Sequence, residues 1–118
     1  MSSKPVPEPA ASTALNANDD PGIRAAQGKL VAVKGLVQNV GQTRTGSMQF
    51  INFQGNSRGQ FCGIIRAANQ EAVATGLGAS IKSALSGKTV ELHGTVMLFE
   101  DTPQIEITRA DQVKIVVP

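Results

Sequence analysis

Lys29-Leu30-Val31-Ala32-Val33-Lys34-Gly35-Leu36-Val37-Gln38-Asn39-Val40 and Thr89-Val90-Glu91-Leu92-His93-Gly94-Thr95-Val96-Met97-Leu98-Phe99 are built alike. In each, apolar residues alternate with others and a glycine interrupts the apolar face: Val31, Val33, Gly35, Val37 in the first, Val90, Leu92, Gly94, Val96, Leu98 in the second. Alternation over eight residues or so is the signature of a half-buried strand. A glycine on the buried face leaves a gap in the core unless the strand bends sharply there or another chain segment comes close. Small closed barrels need such corners, because one long strand then serves two halves of the sheet.

Outward from these runs the chain divides into short elements. A first strand is expected from Gly28 to about Val40, followed by the loop Gly41-Gln42-Thr43-Arg44-Thr45-Gly46. Ser47–Gln54 alternates with apolar residues on both sides, and Gly55-Asn56-Ser57-Arg58-Gly59 reads as a turn before a third strand at Gln60–Arg66. From Ala67 to Leu85 the period changes: Val73, Leu77, Ile81 and Leu85 stand four apart, a helical stripe. Gly76 and Gly78 fall inside it, each costing about 1 kcal/mol in a helix interior, so a broken helix ending at Gly87 is expected. Lys88–Phe99 forms a fourth strand, Glu100–Pro103 a turn, Gln104–Thr108 a fifth strand, and Val113–Val117 closes the sheet after a kink.

The order is β-β-β-α-β-β. An all-β, five-stranded Greek-key barrel with its helix between strands three and four is the OB-fold arrangement, and both glycines fall where that barrel bends its first and fourth strands. Four segments carry a likeness to a known family: Val33-Lys34-Gly35-x-Val37, Phe50-Ile51-Asn52-Phe53, Gly87-Lys88-x-Val90-x-Leu92-x-Gly94-x-Val96 and Pro103-Gln104-Ile105-Glu106-Ile107-Thr108. They resemble the small bacterial OB-fold domains of the nucleic-acid-binding type, which stand alone or sit beside nuclease modules. The resemblance spans Gly28–Val117 and implies a barrel that binds single-stranded nucleic acid or, in some members, a protein or sugar. The chain departs from that pattern in having four phenylalanines and no tyrosine or tryptophan.

Residues 1–27 read differently. They hold four of the six prolines (Pro5, Pro7, Pro9, Pro21) amid small and polar residues. Such a segment buries too little surface to offset the entropy of ordering it. It is therefore expected to be a disordered tail, with residues 28–118 as the folded domain. Lys4 is followed by Pro-Val-Pro-Glu-Pro rather than an apolar signal core, and no stretch has the roughly 18 apolar residues of a membrane span. No membrane association is expected, and a cytoplasmic location is the default reading. The single cysteine, Cys62, suits a reducing compartment and excludes an internal disulfide.

Catalytic signals are weak. His93 is the only histidine and has no evident partner for general-base work. Cys62 lacks a paired histidine or a basic helix terminus and reads as a structural thiol. One histidine, one cysteine and scattered acids supply no zinc-type ligand set. No cofactor, metal or enzymatic activity is expected. The formal charge is +2, with the tail slightly acidic and the remainder mildly basic. That charge permits nucleic-acid binding without requiring it.

For single-stranded nucleic acid, DNA or RNA, the candidate contacts are Lys34, Arg44, Arg58 and Arg66 as phosphate-neutralising cations and Phe53 and Phe61 as exposed stacking rings. Little sequence preference is expected of such a set. The alternative is a protein-interaction or assembly module, such as an accessory subunit of a nuclease, in which the same barrel docks a protein partner.

Overall fold

The two glycine-centred strands pair with one another, and each glycine stands opposite a valine of the other strand. In a computed structural model describing residues 14–56 and 59–116, β2 (Leu30–Gln42) runs antiparallel to β5 (Thr89–Phe99) with Val31 opposite Gly94 and Gly35 opposite Val90. Past Gly35, β2 leaves β5 and pairs with β3 (Met48–Phe53) through a bulge between Val37 and Asn39. Past Gly94, β5 leaves β2 and pairs with β6 (Thr102–Glu106). Both strands change partners at or just beyond the glycine, as the corner reading requires. The packing gives the reason for glycine. A Cβ at Gly35 would lie 2.6 Å from the Ala17 Cβ and 2.8 Å from Phe53, and one at Gly94 would lie 2.6 Å from Ile105.

The molecule is mostly β. One strand, β1 (Leu15–Asn16), lies parallel to β2, and the others are β4 (Cys62–Arg66) and β7 (Val113–Val116). The sheet order is β1-β2-β3-β4-β6-β5-β7. Because β2 also pairs with β5, the strands β2, β3, β4, β6 and β5 follow one another round a partial ring. The β4–β6 contact within that ring is parallel. The ring encloses Val33, Val37, Ile51, Phe53, Ile65, Leu92, Val96 and Ile105, each at most 1% exposed.

The expected broken helix is two helices, α2 (Ala67–Leu77) and α3 (Ile81–Leu85). Gly78 breaks it by ending α2 in the left-handed conformation at φ 84°, and Ser80 caps α3 by accepting from the Ser83 N–H. Gly76 stays helical; a Cβ there would collide with the methyl of Ala110. The α3 helix ends at Leu85 with Ser86 as its C-cap, and Gly87 follows in the left-handed conformation at φ 77°, the terminating glycine expected from the sequence.

The domain boundary at residue 27 is corrected. Leu15–Asn16 adds strand β1, and Asp20–Ala25 forms a helix, α1, with Asp19 as its cap and Pro21 in its first turn. Ile23 is fully buried, Ala17 is 1% exposed and both belong to the one core. Composition hid this because three or four apolar residues suffice when each lands on the core. Residues 1–13 lie outside the described residues.

Candidate functional site

Strand alternation decides what faces outward. On β3, Ile51 and Phe53 point into the core, so Phe50 and Asn52 point out; on β4, Gly63 and Ile65 point in, so Cys62 points out. The pairing register then lays a polar row across four strands: Asn39, Asn52, Cys62 and Gln104. Beside it runs a second row of Gly41, Phe50, Ile64 and Glu106. The first row and Phe50 form the floor of an open groove of about 500 Å³, completed by Gln38, Asn56, Gly59, Gln60 and Thr102 beside the buried Phe53 and Phe61. Its lining is unusually rich in amides. Asn52 Nδ2 donates to Asn39 Oδ1 at 3.1 Å, and Gln104 Nε2 lies 3.9 Å from the Cys62 sulfur.

The segment assigned to the tail braces one wall of this groove. Asn18 Nδ2 donates to the Gln54 carbonyl (2.9 Å) and to Asn56 Oδ1 (2.8 Å), while Asn56 Nδ2 donates to the carbonyls of Ala17 and Phe61. Arg24 bridges three elements: it pairs with Asp20 at 2.7 Å and Asp101 at 3.2 Å and donates to the Gly59 carbonyl at 3.1 Å. Sequence reasoning missed Asn18, Arg24 and Asn56, because no local pattern says that the segment 17–24 packs back to hold a loop.

The expected stacking rings are corrected. Phe53 and Phe61 are each 1% exposed and stack on each other inside the core, ring centroids 5.6 Å apart. They share the inward parity of Ile51 and Ile65, and the small interior of the ring needs large side chains to fill it. The outward rings are Phe50, half-buried, and Phe99, 58% exposed at the end of β5.

The expected cations separate. Lys34 lies in the half of β2 that pairs with β5, in a row with Asn16, Glu91 and Lys114, away from the groove lining. Arg44 and Arg66 converge at the other end of β3: Arg44 is exposed in the β2–β3 loop that closes on Met48, and Arg66 pairs in register with Met48. Arg66 is engaged with Glu106 at 3.1 Å, whereas Arg44 has no ion pair among the described residues. Arg58 lies outside the described residues.

The reactive groups are quiet. Burial pushes the Cys62 thiol up from its ordinary pKa, against a smaller opposing effect of the Gln104 hydrogen bond, so the sulfur is neutral at pH 7. His93 Nε2 lies 3.3 Å from Glu91 on the same strand, beside a second hollow of about 670 Å³ that includes Leu30, Met97 and Arg109. Among the described residues no three His, Cys, Asp or Glu side chains gather as a metal site would require, and no helix is long and apolar enough to cross a membrane.

No family model and no curated protein sequence matches the chain. Among solved structures, one described as an aspartyl-tRNA synthetase from Leishmania major Friedlin is similar over 89% of this chain, with a TM-score of 0.51 and 11% identity. The chain spans 21% of that protein's length. At that identity the likeness is one of fold.

Proposed function

We propose that the five-stranded ring is an OB-fold barrel and that the chain binds single-stranded nucleic acid, without catalysis, across the outer face of β3 and β4. The observation that carries this reading is the groove itself. It lies on the second and third strands of the ring, walled by the turn between them and by Thr102 and Gln104 of the last ring strand, on the face where OB barrels receive oligonucleotides. The order of pairing supports the barrel, with its parallel contact between third and fifth ring strands and its helices between third and fourth. The structural neighbour, by its name a protein acting on tRNA, agrees in direction. Phe50 and Phe99 offer the ring faces, and Arg44 and Arg66 the charge at one end.

With two described cations near the face, affinity should fall only gently with salt. The log–log slope is expected near roughly −1.4, since each phosphate neutralised on a single strand contributes about −0.7. Fluorescence anisotropy of a labelled strand over a series of salt concentrations measures this. Arg44→Ala should flatten the slope by about 0.7, and Lys34→Ala should leave it unchanged. Absence of binding to both DNA and RNA at low salt would overturn the reading and favour the protein-interaction module.

A further inference from the structure

We infer that the Phe50–Asn52 stretch of the groove is a seat for an unpaired adenine, which makes binding base-dependent; the inference rests on the single-strand reading above. It begins with a glycine the fold does not require. Side chains at Gly35, Gly63 and Gly94 would come within 2.6–2.8 Å of core atoms, whereas a Cβ at Gly41 would meet only Asn52 Nδ2, at an ordinary 3.5 Å. Nor does Gly41 occupy the left-handed region. The missing side chain leaves the Asn52 amide uncovered on that side and gives Phe50 no side chain opposite it on β2. The opposite flank is backed by Ile64, which is 4% exposed. Phe50 is thus a half-buried ring with Ile64 in register on one side and a bare glycine on the other.

Asn52 stands two residues further along the same face, about 7 Å away by the rise of a strand. Its amide is tethered by the hydrogen bond to Asn39. Whichever way the two amides are turned, Asn52 keeps one N–H and one oxygen lone pair free. That donor–acceptor edge matches adenine, whose amino group donates and whose adjacent ring nitrogen accepts, the pairing asparagine makes best. Adenine also presents a full purine face to Phe50. A base lying on Phe50 with its edge toward Asn52 satisfies both groups at once.

The test uses the full chain and three labelled single strands of about 15 nucleotides, within the span an OB barrel covers: oligodeoxyadenylate, oligothymidylate and a strand of abasic sites. Oligodeoxyadenylate should bind about 10-fold more tightly than oligothymidylate, the discrimination of one good amide–base pair. The abasic strand should be weaker by a further factor of about 10, the loss of one stacked base. Asn52→Leu should bring the two base-bearing strands within about two-fold of each other. Gly41→Val should weaken oligodeoxyadenylate about 10-fold and leave the abasic strand unchanged. Thermal melts of both variants, with Gly41→Ala as a milder form, separate lost binding from lost folding. Equal affinity for adenylate and thymidylate, or an abasic strand bound as tightly as either, overturns the adenine seat while leaving nucleic-acid binding intact. No binding of any strand overturns both.

Discussion

Phe53→Ala is expected to cost about 3–5 kcal/mol of folding stability, the usual range for removing a buried phenylalanine. A domain of this size has only about 5–15 kcal/mol to lose, so the variant should be partly unfolded at modest urea concentrations. The magnitude follows from where the ring sits. Phe53 is 1% exposed, stacks on Phe61 and presses against the open side of Gly35, so truncation leaves a void at the corner of β2. Phe50→Ala, on the outer face, should remove far less stability and act on binding instead. Urea denaturation of the two variants side by side measures the contrast. If Phe53→Ala melts like the parent while weakening oligonucleotide binding, its ring is a surface platform and the packing described above is wrong.

Ile23→Ala is expected to cost about 2–5 kcal/mol, although Ile23 lies in a segment whose composition reads as disordered. Ile23 is the one fully buried residue of α1, and it belongs to the same core as Val33 and Leu92. Its loss should also loosen Arg24, one residue on, and with it the contacts to Gly59 and Asp101 beside the groove. Calorimetry on the full-length variant decides the point. A melting temperature equal to the parent's would return the domain boundary to residue 27.

The long strands were legible because their message is local. Alternation around Gly35 and Gly94 states both that the segments are strands and where they change partners, and the four-residue stripe from Val73 to Leu85 states the helical insertion. The inner and outer faces of β3 were not legible. Met48 and Phe50 on one parity compete with Ile51 and Phe53 on the other, and only the packing of β4 and β5 shows which pair goes in. Charge misled for a related reason. Lys34 and Asn39 are five residues apart on one strand, yet β2 changes partners between them, so one faces a row with Glu91 and the other lines the groove. The amide floor leaves no trace in sequence, since Asn39, Asn52 and Gln104 come from three strands and meet only through register.

The most direct measurement is a chemical-shift titration of isotope-labelled protein with an unlabelled single strand. Binding across the outer face of β3 and β4 predicts that the largest perturbations fall on the backbone amides of Asn39, Phe50, Asn52, Cys62 and Gln104, with smaller ones at Arg44 and Arg66. Perturbations concentrated instead on the row of Lys34, Glu91 and Lys114, or none at saturating strand, would contradict it.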